Sequence, residues 1–202
     1  VRFLLVGGMN CERRKQASKV ISAFVTAFPQ PTNKAVLTVL CQGVEAPRAV
    51  HRPDIHIKKN HMSYAEVLQH YANSHIVVML SRAEGIGLCT HEALRAGCAL
   101  LTMTAPLYTE LIAPGVNGYL IKAEPEQGPG PARLIGNGEM VIRTHTFRLR
   151  GLASAFKSIA TTPLAQTVSA MQAGARRSYE VIFSPGRVTR AYRRALDISP
   201  VK

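Results

Sequence analysis

The sequence has no tryptophan, and only 6% of its residues are aromatic, so any core must be aliphatic, built from Val, Ile, Leu, Ala and Met. Acidic side chains are scarce: 12 Asp and Glu stand against 25 Lys and Arg, a net charge of +13. Long apolar runs are missing too. Ile76–Leu80 and Cys98–Leu101 are the longest, far short of the ~18–20 residues of a spanning helix, and they have the length of buried strands. Val1-Arg2-Phe3-Leu4-Leu5-Val6 runs into Gly7-Gly8 with no charged leader or cleavage site, so no signal peptide is expected. A start at Val rather than Met reads as a segment of a longer protein. The cysteines Cys11, Cys41, Cys89 and Cys98 show neither zinc spacing nor a C-x-x-C pair. Cys41 and Cys98 sit in apolar runs, as small core residues do. The expectation is no metal and a reducing, cytoplasmic compartment.

What is present supports one domain. With 47% apolar side chains over 202 residues, the chain can bury a sizeable core and is not disordered. The excess positive charge suits anionic partners such as phosphates, nucleic acid or acidic lipid headgroups. It is spread in short clusters at Glu12-Arg13-Arg14-Lys15, Lys58-Lys59, Arg176-Arg177 and Arg187 to Arg194. No aromatic residues interleave with them as a base-stacking platform would require, so nucleic acid is a weak reading. For most of these charges a solvated helix face suffices. At Arg13–Lys15 the case is different: cations at a helix start oppose the dipole unless an anion sits there.

Up to about residue 122, strand-like runs alternate with helical patterns. Phe3–Val6, Ala35–Cys41, Asp54–Lys58, Ile76–Leu80, Cys98–Met103 and Tyr119–Lys122 read as strands, several apolar enough for burial on both faces of a parallel sheet. Lys15–Phe28 places Val20, Ile21, Phe24, Val25 and Phe28 on one stripe of a helix. Ser63-Tyr64-Ala65-Glu66 is a capping box opening a helix with Val67, Leu68 and Tyr71. A further helix over Leu88–Ala96 stops at Gly97, a left-handed cap. The expected fold is α/β: a doubly wound, Rossmann-like parallel sheet with C-terminal helices. Residues 124–148 read as a loop or hairpin insertion, with a Gly/Pro-rich stretch from Glu124 to Pro131 and a hairpin through Ile135 and Val141 around Gly136-Asn137-Gly138. Residues 149–202 read as helical, with Thr162-Pro163 and Ser184-Pro185 as helix starts.

The segment that carries chemistry runs from Ser81 to Gly97. A buried strand ends at Leu80, a turn containing Glu84, Gly85, Ile86 and Gly87 follows, and a helix begins at Leu88. In a parallel sheet, ligands bind in the crevice beyond the strand ends. Gly85 and Gly87 let backbone approach a ligand, and the free N–H groups of the helix start suit a phosphate. Glu84 in the turn and Glu92 one helical layer deeper are acceptors for sugar or ribose hydroxyls. His91 faces elsewhere on the helix, and no histidine set shows metal spacing.

The pattern S-x-x-E-G-x-G-L-x-x-x-E-A-L-x-x-G-C formed by these residues resembles the donor-binding motif of family 4 glycosyltransferases, enzymes of the GT-B fold with two facing Rossmann-like domains. The likeness continues through Ala105-Pro106, Glu110 and Gly115-Val116-Asn117-Gly118-Tyr119-Leu120-Ile121, then Met171, Gly174-Ala175-Arg176-Arg177 and Phe183-Ser184. Gly7-Gly8 with Arg13-Arg14-Lys15 resembles the turn carrying the family's phosphate-binding cations, although Gln16 stands where that pattern has glycine and Pro185 where it has tryptophan.

The resemblance implies the C-terminal, donor-binding half of a retaining, metal-independent hexosyltransferase, with an N-terminal acceptor domain lying outside these residues. It assigns Glu84, Arg14 and Lys15 to catalysis: Glu84 orients the donor sugar, and the two cations offset the leaving diphosphate. Donor binding falls to Gly8, Arg13, Asn60, His61, Met62, Gly85, Ile86, Gly87, Leu88 and Glu92, the last on the ribose and Asn60–Met62 at the base. The partners implied are a nucleoside-diphosphate sugar, an acceptor that is a glycan, lipid or protein, the missing domain, and an anionic membrane surface for peripheral docking. Two other classes stay open: a sugar-nucleotide-binding or scaffolding module without turnover, and a charge-driven nucleic-acid binder.

Overall fold

In the computed structural model, residues 1–43, 46–126, 144–163 and 167–195 are described, Thr167 by its backbone alone. The elements in order are β1 (Arg2–Gly8), α1 (Ala17–Ala27), β2 (Val36–Cys41), β3 (Ile55–Lys58), α2 (Tyr64–Ala72), β4 (Ile76–Met79), α3 (Leu88–Arg95), β5 (Ala99–Met103), α4 (Pro106–Leu111), β6 (Gly118–Ile121), β7 (Ala123–Pro125), β8 (His145–Phe147), α5 (Leu149–Thr161), α6 (Thr167–Ile182) and α7 (Pro185–Ala195). Six strands form one parallel sheet in the order β3-β2-β1-β4-β5-β6. All the strands expected from the apolar runs are present, each within about two residues of its expected ends.

Every residue of β4 and β5 is buried, because helices cover both faces. The crossovers β1→β2 and β4→β5 leave the sheet centre in opposite directions, and right-handed connections therefore put α1 and α3 on opposite faces. α5 packs beside α1, and α6 beside α3. Phenylalanines fill the space between the sheet, α1 and α5, where Phe3, Phe24 and Phe156 meet edge to face at 4.9–6.4 Å between centroids. β1 and β4 are neighbours, and the strand order reverses between them. Their C-terminal ends flank the crevice where a doubly wound sheet binds ligands.

The capping box forms as expected: Ser63 Oγ accepts from the Glu66 N–H, and Glu66 accepts from the Ser63 N–H at 2.7 Å. α3 ends before Gly97, whose φ of 75° is left-handed. On the α3 face, α6 lies against the turn before β6. A Cβ on Gly174 would sit 2.0 Å from the Val116 carbonyl oxygen, so only glycine permits that approach. Asn117 holds the same turn, accepting from Ala113 N–H and donating to Leu111 O and Ser178 Oγ.

Several expectations need correction. Cys41 is buried, but it is not a free thiol; it is disulfide-bonded to Cys11 across 30 residues, with the Cα atoms 5.7 Å apart. Sequence spacing carries no trace of this pairing, because the two residues meet only when the β1–α1 loop folds over the end of β2. The compartment inferred from unpaired cysteines therefore loses its basis at these two positions. Thr162 does not open a helix: it closes α5, its Oγ1 donating to Ser158 O, and α6 begins at Thr167. Ser184-Pro185 does start α7. The inner part of the 124–148 insertion, with the hairpin around Gly136-Asn137-Gly138, lies outside the described residues. Its two ends pair antiparallel as β7 and β8. Among the described residues, no helix is long and apolar enough to cross a membrane.

Candidate functional site

The loop between β1 and α1 begins at Gly8, with φ 58°, and turns back at Arg14 and Lys15. It is tied to the loop after β4 by the Arg82 N–H, which donates to Arg14 O at 2.9 Å. That tie brings Arg14 and Lys15 onto Glu84. Lys15 Nζ lies 2.5 Å from Glu84 Oε1, and Arg14 Nη1 lies 3.2 Å from Oε2. Lys15 is almost wholly buried, its side chain 2% exposed, whereas that of Arg14 is 45% exposed. Burial alone would raise the Glu84 carboxyl; the Lys15 ammonium and its hydrogen bond, the nearby Ser81 hydroxyl and Arg14 more than offset it and hold it below the usual range. Arg13 is exposed beside this cluster.

The helix-dipole argument for these cations changes with the structure. Glu12 accepts bonds from the N–H and hydroxyl of Ser18 in the first turn of α1, so α1 has its own anion at its start. The cations respond to Glu84 rather than to an empty helix end.

Gln16, at the position where the resemblance calls for glycine, takes the glycine conformation: φ 57° and ψ 39°, the one non-glycine residue with positive φ among those described. Its side chain explains how this is tolerated. Nε2 donates to Leu80 O at 2.7 Å, and Oε1 accepts from Thr146 Oγ1 at 2.7 Å. These bonds fasten the β1 loop to the end of β4 and to β8.

Gly87 caps α3 in the left-handed region at φ 66°, and no side chain caps the helix. A Cβ there would come within 2.9 Å of Leu107 Cδ2 and 3.2 Å of Thr90 Oγ1. The first turn of α3 carries no acidic residue, and its leading N–H groups have no intrahelical acceptor. Around this helix start, Ser81 Oγ, Thr90 Oγ1 and the Tyr108 hydroxyl are buried without a completed hydrogen bond. Burial pushes the Tyr108 phenol up to about 12. Gly85, Ile86 and Leu88 are exposed on the crevice side, Ile86 and Leu88 each at 67%.

Glu92 lies further along α3, half-buried, its Oε2 accepting from the Tyr71 hydroxyl at 3.1 Å. The exposed ring of Tyr64 is also close, and burial and the Glu92 charge raise its phenol. From Tyr64 a cavity of about 270 Å³ runs toward β1 and β2, lined by Val6, Gly8, Leu40, Gln42, Met62 and Val67. Met62 is buried on its wall, with its carbonyl accepting from Gln42 Nε2, while Asn60 and His61 are exposed and do not line it. A second cavity of about 440 Å³ shares Met62 and is lined by Asn60, Lys58, Lys59 and His70.

The structure thus brings Gly8, Arg14, Lys15, Glu84, Gly85, Gly87 and Leu88 to the crevice where β1 and β4 end, with Glu92, Met62 and the smaller cavity to one side. His91 is elsewhere, its ring 4.1 Å from that of Phe183. The sequence reading missed Tyr64, Gln42 and the use of the Tyr71 hydroxyl. A buried tyrosine needs a hydrogen-bond partner, and that was the available signal for Tyr71. Among the described residues no cluster of three or more His, Cys, Asp or Glu side chains is arranged to hold a metal ion.

A family model described as glycosyl transferases group 1 matches residues 1–128. No curated protein matches the sequence. Among solved structures, the C-terminal domain of the group 1 glycosyl transferase LpcC from Francisella tularensis is 16% identical, with a TM-score of 0.62 over 91% of this chain and 87% of that domain. HepE from Anabaena, solved in complex with UDP-glucose, is 14% identical, with a TM-score of 0.63 over 97% of this chain and 49% of its own. WaaG, a glycosyltransferase involved in lipopolysaccharide biosynthesis, is 17% identical, with a TM-score of 0.61 over 95% of this chain and 46% of its own. The chain thus spans about half the length of these two larger enzymes. Its fold matches the C-terminal domains of GT-B glycosyltransferases.

Proposed function

The chain belongs to the group 1 glycosyl transferases, and from that premise we propose that it is the donor-binding half of a family 4 enzyme, a single domain that holds a nucleoside-diphosphate sugar for transfer with retention. The observation that carries this reading is the convergence of Arg14, Lys15 and Glu84 beside the uncapped start of α3, at the point where the strand order reverses. A diphosphate fits there because backbone N–H groups and cations face one spot, and binding of UDP-glucose by HepE points the same way.

In this reading the diphosphate lies on the N–H groups of Gly87 and Leu88, with Gly8 opposite. Arg14, the more exposed cation, moves from Glu84 to the phosphates, and Arg13 adds charge from the rim. Lys15 stays buried, keeping Glu84 ionised and aimed at the donor sugar's hydroxyls. Gly85 and Ile86 present backbone to the sugar. Glu92 accepts from the ribose hydroxyls, and the base enters the cavity beside Met62, with Asn60 and His61 contributing from the same loop. On transfer the bond between the anomeric carbon and the β-phosphate oxygen breaks, its electrons passing to that oxygen. The acceptor hydroxyl bonds to the same face of the carbon, and its proton goes to the departing phosphate. Fixed cations lower this barrier by meeting the leaving charge as it develops, in the role a metal plays elsewhere. The hexose type, the metal independence and the acceptor-binding N-terminal domain belong to the same proposal, as does a site of action beside an anionic membrane.

Calorimetric titration of the folded chain with UDP, GDP, ADP and their sugars tests it. Saturable binding to one nucleotide is expected, weakened about tenfold or more in Glu92→Ala and in Arg14→Ala, since hydrogen bonds to charged groups contribute roughly 1.5–3 kcal/mol. No binding by the folded chain to any of them would refute the donor reading. Transfer to acceptor by the full-length enzyme, unaffected by a chelator, separates an enzyme from a module that only binds.

A further inference from the structure

Tyr71 is fully buried on α2, yet its hydroxyl reaches across to α3. The hydroxyl lies 3.1 Å from Glu92 Oε2 and 3.4 Å from the Cys89 carbonyl oxygen. A phenol has one proton to donate, and at these distances the carboxylate oxygen is its main acceptor. Burial, then the neighbouring Cys89 and the Glu92 carboxylate, push the phenol up, which keeps its proton available for donation. Tyr71 thus holds Glu92 from the buried side, while the Tyr64 hydroxyl faces the same carboxylate from the exposed side. A glutamate on a helix surface otherwise samples several rotamers, and ordering it on binding would weaken the ligand's grip.

We propose that Tyr71 is a positioning residue for nucleotide recognition: by holding one oxygen of Glu92, it fixes the carboxylate with its other oxygen turned to the ribose hydroxyls. The inference rests on the reading of Glu92 as the ribose acceptor. Tyr71 touches no ligand itself. Its ring forms part of the core, while its hydroxyl sets the geometry of a group that does touch one.

The test is a titration of the wild type and Tyr71→Phe with the nucleoside diphosphate that binds best among UDP, GDP and ADP, and with its 2′,3′-dideoxy counterpart. Phenylalanine keeps the ring and removes only the hydroxyl. The wild type should bind the dideoxy compound about tenfold or more weakly, the loss expected for a hydrogen bond to a charged group. Tyr71→Phe should weaken the parent nucleotide by roughly threefold to tenfold and leave the dideoxy compound unchanged, so that discrimination between the two shrinks. An equal loss for both ligands, including the complete loss an unfolded variant would give, makes Tyr71 purely structural and overturns the proposal. Undiminished discrimination in Tyr71→Phe overturns it while leaving the role of Glu92 standing. A wild type that fails to distinguish the two ligands, or binds neither, removes the ribose reading itself and the proposal with it.

Discussion

Replacing Lys15 with Met should convert Glu84 from a stabilised carboxylate into a buried charge held from one side only. In the native chain the two side chains are 2% and 8% exposed, and their charged atoms are 2.5 Å apart. Removing one member of such a pair costs about 3–5 kcal/mol, because the survivor keeps its desolvation penalty. Arg14 remains at 3.2 Å, which argues for the lower end, about 3 kcal/mol. For a chain of this size that lowers the melting temperature by roughly 6–12 °C. The pH dependence carries the sharper test. In the wild type Glu84 is held below the usual range, so its stabilisation is present above the ordinary glutamate pKa and lost as pH falls through the lowered value. In Lys15→Met burial dominates and the carboxyl rises above its unfolded value. Its folded form then binds a proton more readily than the unfolded chain does, and the variant gains relative stability as pH falls. The stability gap between wild type and Lys15→Met, measured by urea unfolding from pH 7.5 to 4.5, should therefore narrow on acidification. Lys15→Met/Glu84→Gln should recover most of the loss. A gap that stays constant or widens in acid, or a double variant no more stable than Lys15→Met, would refute this account of the pair.

Gln16 supplies a prediction of sign. Gln16→Ala loses both buried side-chain bonds and keeps the left-handed strain, while Gln16→Gly loses the same bonds and relieves the strain. Alanine should therefore be the less stable by about 1 kcal/mol, although it is the better helix former; equal stability in chemical denaturation would show that no strain is held there. The Cys11–Cys41 bond closes a loop of 30 residues and should contribute about 3–4 kcal/mol through the unfolded chain. Reduction, or Cys11→Ser, should lower the melting temperature by roughly 10 °C. Thiol titration of the unreduced, denatured chain should find the two free thiols of Cys89 and Cys98; four reactive thiols would dispose of the bond.

How much of this was legible depends on whether a feature is local. The sheet was readable because β4 and β5 are buried on both faces and so appear as unbroken apolar runs between turn residues. The Ser63 capping box and the Gly97 stop were readable because each is a short-range hydrogen-bonding or φ requirement written in adjacent residues. The crevice followed from Gly85, Gly87 and the carboxylates around them. Gly174 and the Gly115–Gly118 turn were noticed only as part of a resemblance; their contact through the Val116 carbonyl oxygen supplies a packing reason for both. The disulfide and the identity of Tyr71's partner were illegible because each joins residues whose proximity is a product of the fold.

Gln16 shows the difference most clearly. Read along the chain, glutamine in place of glycine suggests that the loop has lost the close backbone approach a diphosphate needs. In the fold the backbone keeps the glycine geometry, held by Leu80 from β4 and Thr146 from β8. Thr146 lies 130 residues away, near the end of the 124–148 stretch that reads as an insertion. That stretch therefore ends in a strand whose hydroxyl helps maintain the loop carrying Arg14 and Lys15. Its root is part of the support of the candidate site, so Thr146→Val should weaken nucleotide binding together with stability, through Gln16 rather than through any contact of its own.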